Sequence, residues 1–133
     1  MARPGVTHRE LVGILCTLLR SFVRLILGDF VPDYYGSFLS QAASGPTRGF
    51  AIIDRSLAPL RSTVAEAIAA LTGESAASSA TQVRALSIIG SCIFFRRARP
   101  TVLRALKWKQ IGAGELAVIE TAIQANIRTM FFR

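Results

Sequence analysis

The segment from Ser87 to Trp108, SIIGSCIFFRRARPTVLRALKW, constrains this chain more than any other. It begins as a helical run that is apolar nearly all round and closes on Arg96, Arg97 and Arg99. It then breaks at Pro100 and resumes as a short basic amphipathic stretch. Extended back to Ser79, the run places Val83, Leu86, Gly90, Ile93 and Phe94 on one helical face and Ala85, Ile88, Ile89, Cys92 and Phe95 on another. A helix with two apolar faces has to be covered on both. Arg99 precedes a proline, which biases it away from helical dihedrals, so this helix is expected to stop there and a short one to follow from Thr101 to Trp108.

The rest of the chain keeps the helical period. Thr7-x-x-Glu10 forms a capping box before Leu11, Ile14, Leu15, Leu18, Phe22, Leu25 and Ile26, which follow three-and-four spacing as far as Gly28 and Pro32. Arg20 and Arg24 supply polar positions on that first helix. Asp33 can cap a second helix carrying Tyr34, Tyr35 and Phe38. A third begins near Thr47 with Phe50, Ile53 and Leu57, is expected to kink or break at Pro59, and continues through Val64, Ala67, Ile68 and Leu71 to a stop at Gly73. Ser79-x-x-Gln82 reads as a second capping box. After the Gly112-Ala-Gly114 break, the last helix shows two stripes: Leu116, Ile119, Ile123, Ile127 and Met130, and beside them Val118, Ala122, Ala125 and Thr129. No strand alternation, hairpin or repeat stands above this background, so the class is all-α, and 133 residues suit a single domain over residues 1–133.

Composition bears on partners more than on fold. With 51% hydrophobic and 18% charged residues, the chain has little polar side chain to cover a small monomer, which implies a partner surface, most simply a second copy. The net charge of +8 arises from 16 basic residues against 8 acidic ones. No acid lies between Glu74 and Glu115, so the basic run from Arg96 to Lys109 could attract nucleic acid or another anion. The alternative is that Arg96, Arg97 and Arg99 complement a helix C-terminus. Leu11 to Leu27 is interrupted by Arg20 and Arg24 and is not expected to span a membrane.

The materials for catalysis are poor. The carboxylates are scattered, His8 sits beside a capping box, and no nucleophile elbow, phosphate loop or zinc motif occurs, so the chain is not expected to be an enzyme. Two cysteines and one histidine cannot assemble a metal site by spacing, and no cofactor is expected. Cys16 and Cys92 lie in apolar helical patterns, as free thiols of a reducing compartment do.

With GPTRGF at Gly45 to Phe50, LAPLRSTVAEAIAALTGE, the segment around Pro100 and the IG-x-G entry to the last helix, the chain resembles the C-terminal domain of TetR-type repressors, in the YbiH/CecR-like branch. The resemblance implies an all-α helical bundle that dimerises through its last two long helices and binds a small hydrophobic or amphipathic effector in a central cavity. It also implies a bacterial, cytoplasmic transcriptional regulator. The operator-binding helix-turn-helix head is not found ahead of Thr7, so DNA contact is expected only through a head outside this chain. Phe22, Tyr34, Tyr35, Phe50, Phe94 and Trp108 are the candidate pocket residues. Ile89, Gly90, Ile93, Val118, Ala122, Ala125 and Thr129 are the candidate dimer surface. The rival reading is a basic nucleic-acid or anion-binding module built on Arg96 to Lys109.

Overall fold

A computed structural model describes the backbone of residues 6–28 and 48–131, and the side chains of residues 6–28 and 55–131. Five helices lie among the described residues: α1 (His8–Leu27), α2 (Arg48–Thr72), α3 (Ser79–Arg97), α4 (Arg99–Leu106) and α5 (Ala113–Phe131). No strand occurs among them, in keeping with the all-α expectation.

α1 is the hub. Its capping box closes as expected: Thr7 Oγ1 accepts from the Glu10 N–H at 3.1 Å, and Glu10 Oε2 accepts from the Thr7 N–H at 2.9 Å. Two orphan donors are satisfied in this way, and such a cap stabilises a helix by about 1 kcal/mol. Val12, Leu15, Leu19 and Val23 are fully buried, and α1 packs against α2, α3 and α5 in turn. Burying each side chain of this kind contributes about 1.5 to 3 kcal/mol, so the inner stripe of α1 supplies much of what holds the bundle together. Val64 and Ile68 of α2, Ala85, Ile88, Ile89 and Cys92 of α3, and Ile119, Ile123 and Ile127 of α5 complete the core. The His8 ring donates through Nε2 to the Phe131 carbonyl at 2.7 Å, which ties the start of α1 to the end of α5.

Three local expectations change. α2 continues as one helix of 25 residues through Pro59 instead of breaking there. Proline removes a single ladder donor, and burial of Val64, Ala65, Ala67 and Ile68 on the far side rewards continuation. The cap of α3 is Ser78 rather than Ser79: Ser78 Oγ accepts from the Thr81 N–H at 3.2 Å and donates to Thr81 Oγ1 at 2.8 Å. Gln82, the expected partner of the box, donates instead to the Ala76 carbonyl at 2.7 Å, within the short connection from α2. The short helix after Pro100 occupies Arg99–Leu106, with proline in its first turn, where the missing N–H costs nothing. It stops at Lys107, which takes the left-handed conformation at φ 57°. Gly73, at φ 79°, ends α2 as expected. The helix expected after Asp33 lies outside the described residues.

Candidate functional site

The two faces of α3 part company in the folded chain. Ala85, Ile88, Ile89 and Cys92 enter the core, while Val83, Leu86 and Phe94 stay exposed, with Gly90 between them offering open space where a Cβ would stand. The two stripes of α5 divide in the same manner. Ile119, Ile123 and Ile127 are buried against α1, and Val118, Ala122, Ala125 and Thr129 are exposed. Among the residues expected at a partner surface, Gly90, Val118, Ala122, Ala125 and Thr129 are therefore on the outside, and Ile93 is half-buried. Ile89 is not available to a partner: at 4% exposure it belongs to this chain's own core. Phe94 replaces it on the outer face, where its ring stands edge-on to Phe95 at 5.6 Å between centroids. Met130, grouped with the inner stripe, is exposed as well.

Only three of the residues expected to line an apolar cavity have described side chains. Phe22 and Trp108 are half-buried and pack against the core, Phe94 is on the outer face of α3, and Tyr34, Tyr35 and the Phe50 side chain lie outside the described residues. Among the described residues a cleft of another kind opens. It lies between α1 and α5, has a volume of about 490 Å³, and is lined by Gly13, Cys16, Thr17, Arg20, Ser21 and Arg24 from α1 with Gln124 and Arg128 from α5.

An ion triad organises that cleft. Arg24 Nε donates to Glu120 Oε1 at 2.7 Å, and Arg20 Nε stands 3.3 Å from Glu120 Oε2. The carboxylate is buried while both guanidiniums are about half exposed. Helical spacing produces the match: Arg20 and Arg24 are one turn apart on α1, and Glu120, Gln124 and Arg128 are successive turns of one α5 face. Sequence reading took the two arginines only as polar breaks in an apolar run and Glu120 only as a scattered acid. The missing signal was the i, i+4 register of Glu120, Gln124 and Arg128 beside the inner stripe of α5, which only a neighbouring helix could make meaningful.

Neither thiol is suited to chemistry. Burial pushes the Cys92 thiol up to about 12, against a small opposing effect of a hydrogen bond with Ser91. Burial also raises Cys16, opposed by the positive charge of Arg128. Both are therefore neutral at physiological pH, and both are free. No group of three or more potential metal ligands occurs among the described residues. No described helix is long and apolar enough to cross a membrane.

The basic stretch from Arg96 to Lys109 does not form one exposed face. Arg96 is buried and partnered, Val102 is buried, and Leu103 and Trp108 pack on the core, while Arg97, Arg104, Lys107 and Lys109 are exposed. Arg96 and Arg97 occupy the last turn of α3, where cations complement the helix dipole.

Compared with known families, residues 11–131 match the family model described as the C-terminal domain of the HTH-type transcriptional dual regulator CecR. Comparisons with curated proteins and with solved structures found no match.

Proposed function

Because the chain belongs to the CecR C-terminal domain family of transcriptional regulators, which is not a family of enzymes, we propose that it is the dimerisation and effector-sensing domain of a bacterial, cytoplasmic TetR-type regulator. The observation that carries the reading is the pair of exposed apolar strips on the last two long helices: Val83, Leu86, Gly90 and Phe94 on α3, and Val118, Ala122, Ala125 and Thr129 on α5. Exposed apolar surface of this extent favours association, and Gly90 on α3 with Ala122 and Ala125 on α5 allows close helix approach across a two-fold axis. The effector in this reading is small and hydrophobic or amphipathic, held against Phe22 and Trp108 with help from Tyr34, Tyr35 and Phe50. Its binding would favour one of two packings of the domain and so alter the spacing of attached operator-reading heads.

The rival reading, a nucleic-acid module on Arg96 to Lys109, is disfavoured by the burial of Arg96 and Val102. Phosphate binding needs cations that reach solvent together, and sequence readout needs an element that reaches base edges.

The test joins this chain to a heterologous helix-turn-helix head that represses only as a dimer. Repression by the fusion, abolished by Val118→Arg, is the expected result. A fusion that fails to repress while folded and abundant overturns the proposal.

A further inference from the structure

The cleft between α1 and α5 is polar and cationic where a sensor of apolar compounds would be greasy, and its electrostatics are lopsided. Three guanidiniums, Arg20, Arg24 and Arg128, border it, and one carboxylate, Glu120, answers them. Among the described residues, Arg128 has no carboxylate within ion-pair distance, so their charges at the cleft sum to an excess of positive charge.

The geometry points to a binding site for a small organic anion, a carboxylate or a phosphate monoester, in the α1–α5 cleft, with Arg20, Arg24 and Arg128 as its cationic side. Glu120 does not cancel the site; it prepares it. A guanidinium has five N–H donors, and Arg24 spends its Nε–H on Glu120, while Arg20 approaches the same carboxylate through its own Nε. Among the described residues no further hydrogen bond engages the terminal nitrogens of Arg20 and Arg24, which leaves them to a planar, bidentate acceptor, and the contacts with Glu120 already hold these two side chains, which lowers the entropic cost of binding. Thr17 and Ser21 from α1 and Gln124 from α5 add neutral polar side chains to the lining. The volume, about 490 Å³, is that of a small-molecule site. A nucleic-acid duplex presents its phosphates on a broad convex surface that a cleft of this size does not admit. The inference goes beyond the regulator reading and stands on the cleft alone, since a chain that failed to dimerise would still bring Arg20, Arg24 and Arg128 together.

The test is an amide-resolved NMR titration of the whole chain with benzoate and with phenyl phosphate, using benzyl alcohol as the neutral counterpart. The expected result is saturable shifts at Thr17, Ser21, Gln124 and Arg128 with an anion and none with benzyl alcohol. Arg128→Gln should weaken that binding about tenfold, the loss expected for one charge-assisted contact, and Arg104→Gln should leave it unchanged. Thermal melts of both variants establish that they fold. Four results would overturn the proposal: no saturable shift with either anion, equal response to benzyl alcohol, unchanged affinity in a folded Arg128→Gln, or stronger shifts of the same amides by a short DNA duplex.

Discussion

Phe94→Ala isolates the dimer surface from the core of the protomer. Its ring is 51% exposed on α3, touches Phe95 at its edge, and contributes little to the interior on which Ile88, Ile89 and Cys92 converge. In a symmetric dimer the substitution is made twice. Fully burying a phenylalanine is favourable by about 1.5 to 3 kcal/mol, and roughly half of each ring is left to bury on association. Each copy then loses about 0.75 to 1.5 kcal/mol, and the dimer about 1.5 to 3 kcal/mol, which weakens association about 10- to 150-fold. Sedimentation velocity across a wide concentration series reads both constants, and a urea melt of dilute protein should show the monomer's stability changed by less than about 0.5 kcal/mol. An unmodified chain that sediments as monomer up to high micromolar concentration would refute the reasoning. So would a Phe94→Ala chain that dimerises as tightly as its parent, because the α3 strip would then face something other than a second copy.

The ion triad should respond asymmetrically to substitution. Glu120→Leu leaves two half-exposed arginines that water can rehydrate and should change the unfolding free energy by no more than about 1 kcal/mol, whereas Arg20→Leu/Arg24→Leu strands a buried carboxylate and should cost about 3 kcal/mol in urea melts. Equal losses from the two would mean that the arginine stems, rather than charge, hold α1 on α5. Lys107→Gly removes a Cβ from a left-handed residue at φ 57° and should raise the unfolding free energy by about 0.5 to 1 kcal/mol, with Lys107→Ala giving no such gain. Cys92 carries a pH signature: its thiol is raised from 9.0 to about 12 by burial, so the stability it supports is present below pH 9 and is lost as pH rises from there toward 12. Urea melts should show a decline above pH 9 that is shallower in Cys92→Ala, by up to about 1.4 kcal/mol per pH unit. An identical decline in both chains would place the alkaline loss elsewhere.

The helices were legible because their signals are local. The Thr7 and Glu10 cap, the left-handed Gly73 and the three-and-four spacing of apolar residues act within one or two turns, and each is found where the local sequence puts it. Pro59 does not end α2, and the cap of α3 falls on Ser78 rather than Ser79, for a related reason. A proline signals a break only if nothing beyond it rewards continuation, and in the serine-rich loop 75–79 several hydroxyls compete for one cap.

By itself, then, the amino-acid order determined that the chain is all-helical, that α3 and α5 each carry two apolar faces, and that no residues are spaced for metal or nucleophilic chemistry. Tertiary structure alone decided which face turns inward. Ile89 and Ile123 lie on the buried side, and Phe94 and Val118 on the side that none of the described residues covers, a choice that depends on neighbours and not on periodicity. It also decided that Arg20, Arg24, Glu120 and Arg128, dispersed over more than a hundred positions, meet in one cleft. Hydrophobic pattern encodes a helix within a few turns of chain, but the meeting of charges from two helices is set by the packing of the apolar stripes beside them.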